Sequence, residues 1–80
     1  MQYVYCLICK DGYYIGCTDS LKERLIRHSK GYVLATKNRR PICLKLFFGI
    51  DNKYQAFAFE KYLKSGSGRA FLNKHFHNRH

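Results

Sequence analysis

Residues Gln2–Cys17, QYVYCLICKDGYYIGC, contain the clearest structural pattern in this chain. Residues typical of β-strands fill Gln2–Cys9 and Tyr13–Cys17, and Lys10-Asp11-Gly12 between them has the composition of a tight turn. We therefore predict a β-hairpin.

The register of this hairpin brings two tyrosines to one face of the sheet. Side chains alternate across a strand, and a loop at Cys9–Gly12 sets Tyr14 opposite Leu7. Tyr5 then lies one step further along the same face, about 7 Å from Tyr14. Two phenols at this distance are able to serve one ligand. The alternative is that both rings pack in the sheet and present a hydroxyl at its rim.

The other elements follow from their start and stop signals. In chain order we predict a helix from about Leu21 to about Lys30, a central strand at Ile42–Ile50, a helix at Lys53–Lys64, a breaker at Ser65–Gly68, a short helix at Arg69–Phe76 and a frayed tail at His77–His80. Ser20 and Glu23 fit the capping box of the first helix, and Asp51-Asn52 caps the second. The order β-β-α-β-α-α predicts an α/β sandwich of one domain, residues 1–80, with helices flanking a small three-stranded, mainly antiparallel sheet.

The composition indicates a folded protein that binds a polyanion. Its 80 residues carry 15 Lys and Arg against 5 Asp and Glu, a formal net charge of +10, and 46% of the residues are hydrophobic. That apolar content supplies a core and excludes a disordered basic tail. The positive excess suits nucleic-acid phosphates, although charge alone does not distinguish DNA from RNA.

The chain carries no sequence feature of an exported or membrane-bound protein. No window reaches the roughly 18 apolar residues of a membrane span, and the N-terminus lacks the layout of a signal peptide. We expect a cytoplasmic monomer or weak dimer, without a membrane partner and with its four cysteines reduced.

The first helix carries two candidate site residues. Leu21, Leu25 and His28 share its inward stripe, and Arg24 lies on the flank of that stripe, leaning toward the body of the protein. His28 is equally compatible with a functional contact and with a core-edge histidine hydrogen-bonded to the backbone.

Glu60 is a carboxylate among apolar residues on the second helix. Its neighbours at i−4, i−3 and i+3 are Ala56, Phe57 and Leu63. Burying an unpaired carboxylate is costly, so Glu60 requires a cation: Lys64 at i+4, Arg24 or a metal ion. The alternative is a solvated surface pair between Glu60 and Lys64.

These residues resemble the GIY-YIG nuclease family over nearly the whole chain. Tyr14-Ile15-Gly16 is similar to the YIG element, and Tyr3-Val4-Tyr5 stands in place of the first element, keeping its tyrosine but not its glycine and isoleucine. Arg24 and His28 match the arginine and histidine of the family's helix. Glu60 matches its metal-binding glutamate, and the sequence that follows resembles the small free-standing bacterial members.

The resemblance implies a GIY-YIG-like domain that hydrolyses phosphodiester bonds in DNA with one divalent ion, Mg²⁺ or Mn²⁺, and no small-molecule cofactor. It assigns Glu60 to the metal and Tyr5 to activation of the attacking water. Tyr14 would orient water or phosphate, and Arg24 would neutralise charge on the phosphate. Arg24, His28 and the metal would together lower the pKa of the Tyr5 phenol.

Other basic residues are candidate contacts to the nucleic-acid backbone, which position a protein without reading sequence. These candidates, with an asparagine added from the resemblance, are Lys37, Arg39, Arg40, Lys53, Lys61, Lys64 and Asn73. We expect an endonuclease of weak or structure-dependent specificity in DNA repair or processing.

Two other functions compete with the nuclease. A catalytically inactive nucleic-acid-binding module on the same scaffold would explain the altered first element, but the joint presence of Tyr5, Tyr14, Arg24 and Glu60 favours the enzyme. A ribosome- or RNA-associated protein would explain the charge but not a carboxylate among apolar residues.

Overall fold

A computed structural model describes residues 1–76, which contain three strands and three helices in the predicted order. The elements are β1 Gln2–Cys9, β2 Gly12–Thr18, α1 Leu21–Ser29, β3 Cys43–Ile50, α2 Lys53–Lys64 and α3 Gly66–Phe76. The strands form one antiparallel sheet in the order β2-β1-β3. The predicted α/β class, element order and three-stranded sheet are confirmed. The tail predicted at His77–His80 lies outside the described residues.

The hairpin forms in the predicted register. Leu7 pairs with Tyr14 across a two-residue turn at Lys10-Asp11. Tyr5 and Tyr14 pack in one core cluster, whereas Tyr13 packs in the other, on the opposite face of the sheet. The predicted division of the tyrosines between the two faces is confirmed.

The predicted central strand, Ile42–Ile50, is wrong in its position. β3 is an edge strand, and the central strand is β1, which lies between β2 and β3. Residues 4–7 of β1 are all buried, alternately against the two faces, whereas β3 has several exposed positions. The continuous apolar run marks the central strand, because only a strand covered on both faces buries successive side chains.

Helices cover both faces of the sheet. α1 packs Leu21 and Leu25 against the face that holds Tyr5. α2 and α3 cover the opposite face with the buried residues Ala56, Leu63 and Leu72. Because β2 is an edge strand, side chains from α1 and α2 can meet around it. Within residues 1–76, none of the helices has the length and apolarity needed to cross a bilayer.

The capping box predicted at the start of α1 is wrong. The Ser20 side chain makes no capping hydrogen bond, and its hydroxyl donates to the Asp19 carboxylate at 3.2 Å. The Ser20 backbone N–H instead donates to Thr18 Oγ1 at 3.1 Å, which holds the tight connection from β2 into α1. At the other end, Gly31 follows the helix with φ at +77°, a conformation that favours glycine.

The junction between α2 and α3 is shorter than the breaker predicted at Ser65–Gly68. α3 begins at Gly66 rather than Arg69, so Ser65 alone joins the two helices. Ser65 Oγ accepts the Gly68 N–H at 3.2 Å and caps the new helix. An added Cβ at Gly68 would collide with the backbone of α2. This glycine permits close helix packing rather than breaking the helix.

Candidate active site

Tyr5 is fully buried, and its hydroxyl has a specific partner on the first helix. The Tyr5 hydroxyl lies 2.8 Å from Nε2 of His28, which is itself only 1% exposed. The other ring nitrogen of His28, Nδ1, lies 2.7 Å from Oγ1 of Thr36. His28 therefore contacts two side chains rather than the backbone. A buried hydrogen-bonded chain runs from the loop after α1 to the central strand.

Gly16 makes room for the Tyr5 ring. The two residues pair across the hairpin, and an added Cβ at Gly16 would collide with the ring and hydroxyl of Tyr5. The glycine therefore lets the phenol extend across β2 toward the edge of the sheet.

We expect Gly16→Ala to destabilise the protein by about 1–3 kcal/mol, the usual cost of overpacking a core. For a domain of this size each kcal/mol lowers Tm by roughly 4–8 °C. Gly66→Ala is the matched control, since an added Cβ at Gly66 meets no atom within 4 Å. Thermal unfolding of the three proteins measures the difference. Equal melting temperatures for Gly16→Ala and the wild type would contradict the placement of the Tyr5 ring.

Tyr14 completes an aromatic group around His28. Its ring centroid lies 5.3 Å from that of His28 and 6.3 Å from that of Tyr5, and Tyr5 and His28 are 5.6 Å apart. Tyr14 is half-buried, so this group reaches the surface at its ring. The predicted proximity of the two tyrosines is confirmed.

Burial dominates the electrostatics of Tyr5. Desolvation, and after it the neighbouring Tyr14, raises the pKa of Tyr5 to about 12, while Arg24 lowers it through hydrogen bonding and charge. Among the groups of the chain itself, the cost of charging a buried phenol exceeds the effect of Arg24, so the net shift of the pKa is upward. The lowering of this pKa by Arg24, His28 and a metal ion together stays a prediction. Tyr5 is a neutral phenol near pH 7 and releases its proton only to an adjacent base.

His28 is held in its neutral form. Burial, and secondly the charge of Arg24, lowers the pKa of His28 from its ordinary value. A neutral imidazole keeps one ring nitrogen with a free lone pair. His28 is thus able to accept a proton from the adjacent Tyr5 hydroxyl.

Arg24 and Glu60 approach β2 from opposite faces of the sheet. Both side chains are half-buried, Arg24 on α1 and Glu60 on α2. Burial has the largest effect on the pKa of both Tyr5 and Cys17, and it raises both values. Glu60 also raises these two pKa values, whereas Arg24 lowers them. Because charge effects fall with distance, Arg24 and Glu60 both lie in the neighbourhood of Tyr5 and Cys17.

Glu60 is less buried than its neighbours in sequence predict. Its side chain is 23% exposed, and Lys64 Nζ lies 3.2 Å from its Oε2. Phe57, predicted on the same apolar face, is 50% exposed. An ion pair of this kind contributes about 0.3–0.5 kcal/mol. Glu60 therefore has a cationic partner, and its carboxylate remains open to solvent.

The Glu60 carboxylate suits a hard cation that has few protein ligands. Among the described residues no group of three or more His, Cys, Asp or Glu could enclose a metal ion. Mg²⁺ is usually held by one or two carboxylates, with water and substrate phosphates as its other ligands. A single, partly exposed carboxylate fits a site of that kind.

The sequence of the chain agrees with this arrangement of residues. Residues 1–76 match the GIY-YIG catalytic domain. The chain belongs to the GIY-YIG family. The GIY-YIG domain is a nuclease domain, and the match includes both strands of the hairpin, α1 and α2, which carry the residues described above.

This GIY-YIG chain is similar to several bacterial UPF0213 proteins. It is 39% identical over 66 residues to one from Clostridium perfringens strain 13, covering 80% of this chain and 71% of the relative. Identity is 39% over 64 residues to one from Streptococcus pneumoniae serotype 4, covering 78% and 65%. A UPF0213 protein in the ldhD 5′ region of Pediococcus acidilactici is 36% identical over 75 residues, covering 88% and 76%. No solved structure gives a significant match.

A groove next to Tyr14 brings together three of the predicted nucleic-acid contacts. It has a volume of about 410 Å³ and lies between β2, α2 and α3. Arg39, Lys64 and Asn73 line it, together with Arg69, which the sequence did not single out. Arg69 faces this groove because α3 packs back along α2, and no pattern in the sequence reports that packing.

The loop between α1 and β3 holds Arg39, at the edge of this groove, and Arg40 in contacts within the chain. Arg39 pairs with Asp11 at 2.6 Å, and its Nη2 donates to the Tyr13 carbonyl at 3.0 Å. Arg40 donates to the carbonyls of Lys37 at 3.2 Å and Ser29 at 3.4 Å. Both arginines anchor the loop. The lysines predicted with them, Lys37, Lys53 and Lys61, are exposed.

Proposed function

We propose that this GIY-YIG chain is an endonuclease that hydrolyses phosphodiester bonds of DNA with a divalent metal ion. The main support for this function is the buried contact of 2.8 Å between the Tyr5 hydroxyl and His28 Nε2. A net charge of +10 supports a polyanionic substrate, and membership of a nuclease family supports the reaction.

Tyr5 and His28 act as one general base in this reaction. A phenol with a pKa of about 12 becomes a base only when its own proton has an acceptor. His28 takes the proton of Tyr5 while Tyr5 takes a proton from the attacking water. The pair therefore functions near pH 7, where a solitary buried tyrosine would not.

The half-buried groups at the β2 edge act on the phosphate. Arg24 presents several N–H donors in a planar fork and neutralises charge that develops on the phosphate oxygens. Tyr14 orients the water or the phosphate with its hydroxyl. Glu60 would hold Mg²⁺ or Mn²⁺, whose charge supplies electrostatic stabilisation of the phosphate.

The groove beside Tyr14 binds the DNA backbone next to the cleaved bond. Lys64, Arg69 and Asn73 contact phosphates there, and Lys37 and Lys61 add contacts from the exposed surface. Such contacts position DNA without reading its sequence. We therefore propose weak or structure-dependent specificity and a role in DNA repair or processing.

The altered first element, Tyr3-Val4-Tyr5, is the feature that favours an inactive binding module. Val4 is buried in the core cluster on the face opposite Tyr5, and Tyr3 packs against Phe47 with ring centroids 6.0 Å apart. Neither side chain takes part in the contact between Tyr5 and His28. The change in this element leaves the proposed catalytic pair intact, which supports the enzyme.

A panel of duplex, nicked, branched and single-stranded DNAs, each with Mg²⁺, Mn²⁺ or EDTA, tests this function. We expect metal-dependent cleavage of at least one of these DNAs and none in EDTA. Binding without cleavage in every metal would favour the inactive module instead.

Arg24→Lys distinguishes transition-state stabilisation from simple attraction of DNA. We expect single-turnover cleavage to fall about 10²–10³-fold, nearly as far as in Arg24→Ala, because an ammonium does not reproduce the guanidinium fork. A backbone contact would behave differently: lysine would substitute well, and alanine would weaken binding and reduce the salt dependence by about one ion. Arg27, exposed on the same helix, supplies matched Lys and Ala controls.

A further inference from the structure

Thr36 is a polar residue in the loop between α1 and β3 that is fully buried. Its Oγ1 lies 2.7 Å from His28 Nδ1 and 3.5 Å from the carbonyl oxygen of Val33. The loop that carries Thr36 is anchored by Arg39 on the hairpin turn and by Arg40 on the end of α1. Thr36 is thus held against the side of the imidazole ring that faces away from Tyr5.

The hydrogen bonds through His28 can run in two directions, because a neutral imidazole has one N–H and one lone pair. With the proton on Nδ1, His28 donates to Thr36, and the Thr36 hydroxyl donates to the Val33 carbonyl. Nε2 then accepts from the Tyr5 hydroxyl. With the proton on Nε2, Thr36 donates to Nδ1, and Nε2 donates to the Tyr5 oxygen.

Only the first direction gives every buried donor an acceptor. In the second direction the Tyr5 hydroxyl proton has no acceptor among the described residues, since the neighbours of this hydroxyl are Nε2 of His28, which then carries a proton, and Arg24, which has donors only. Buried polar groups without a partner are strongly disfavoured, and residues 1–76 contain no unpaired buried side-chain nitrogen or oxygen. The first direction also leaves the lone pair of Nε2 facing Tyr5.

We propose that Thr36 is a positioning residue that holds His28 in the Nδ1–H tautomer and so keeps Nε2 free to accept the proton of Tyr5. The catalytic consequence rests on the proposed nuclease function. The tautomer of His28 does not depend on it.

Thr36→Val and Thr36→Ser test the proposal in the 80-residue chain. Valine removes the hydroxyl at nearly constant volume, whereas serine keeps it. Long-range ¹H–¹⁵N correlation spectra at pH 7.5 report which nitrogen of His28 carries the proton, and His28→Gln identifies its signals. Burial lowers the pKa of His28, so the ring is neutral at this pH. We expect Nδ1–H in the wild type and in Thr36→Ser. Thr36→Val leaves Nδ1–H without its acceptor, so we expect the fraction of the Nε2–H tautomer to rise in that variant.

The kinetic arm measures single-turnover cleavage at saturating DNA. We expect Thr36→Val to lose about 10²-fold, the lower end of what general acid–base catalysis contributes, with unchanged DNA affinity. Thr36→Ser should keep most of the wild-type rate because it keeps the hydroxyl. If Thr36 acted only by packing its methyl group, this variant would lose rate as well. Thermal unfolding checks that each variant is folded.

Two results would overturn the role of Thr36: an Nε2–H tautomer in the wild type, or a folded Thr36→Val that keeps the wild-type tautomer and rate. If the wild type cleaves no DNA, the nuclease function fails and the spectra still decide whether Thr36 sets the tautomer. If Thr36→Val does not fold, Thr36→Ala, which also removes the hydroxyl, takes its place in both measurements.

Discussion

Glu60→Gln is expected to abolish metal-dependent cleavage, with a loss of at least about 10³-fold, because a catalytic metal contributes several kcal/mol to the transition state. The amide keeps the shape of the side chain but removes the negative charge that Glu60 would offer the ion. DNA binding, measured by titration in EDTA, should persist, since the cations of the groove are unchanged. Single-turnover assays in Mg²⁺ measure the loss.

Lys64→Gln separates this role of Glu60 from its ion pair. If the carboxylate served only to pair with Lys64, both substitutions would lower stability by the small amount of a surface pair, below about 1 kcal/mol, and Glu60→Gln would cleave normally. Full activity in Glu60→Gln would remove Glu60 from the metal site.

Tyr5→Phe is expected to lower the turnover by about 10²–10⁴-fold, the range of general acid–base catalysis, with little change in DNA affinity. The substitution removes a single hydroxyl that is needed in the transition state. Because it also leaves buried Nε2 of His28 without its partner, we expect a stability loss of about 1–3 kcal/mol. Single-turnover kinetics and thermal unfolding measure the two effects.

Tyr13→Phe is the matched control for Tyr5→Phe. Tyr13 packs on the opposite face of the sheet, and its contact with Arg39 is made by its backbone carbonyl, which the substitution preserves. The turnover of this variant should stay close to wild type. If Tyr5→Phe and Tyr13→Phe lost equal activity, the assignment of the catalytic face would be contradicted.

The hairpin was predictable because two local rules determine it. Strand alternation and a short polar turn set the register, and the register alone places Tyr5 beside Tyr14 and away from Tyr13. The inward position of His28 followed in the same way from helical spacing. These residues lie on regular elements, whose side-chain directions can be counted from the sequence.

Thr36 was not predictable, because its role depends on how an irregular loop folds back over α1. A single threonine in a polar segment carries no signal, and its contact with His28 depends on the fold of a loop that Arg39 and Arg40 help to anchor. The same two arginines were predicted as DNA contacts from their charge. Charge reveals that a residue needs a partner, but not whether the partner lies inside the chain.

The net pKa shift of Tyr5 was also beyond the sequence, since it depends on the balance of two opposing effects. The sequence shows that a cation lies near the phenol, but the extent of burial is set by the packing of the whole sheet. Similarly, the sequence predicts a helix breaker at Gly68. In the structure this glycine lies within α3 and lets α3 pack closely against the backbone of α2.

Cleavage of supercoiled plasmid shows whether Tyr5 acts in metal-dependent hydrolysis of DNA. Wild type and Tyr5→Phe, purified identically so that contaminating nuclease is controlled, are incubated with plasmid in Mg²⁺, in Mn²⁺ and in EDTA. We predict that wild type nicks or linearises the plasmid with either metal and not in EDTA, and that Tyr5→Phe is inactive throughout. Absence of cleavage by wild type in both metals, or equal cleavage by the two proteins, would contradict this role of Tyr5.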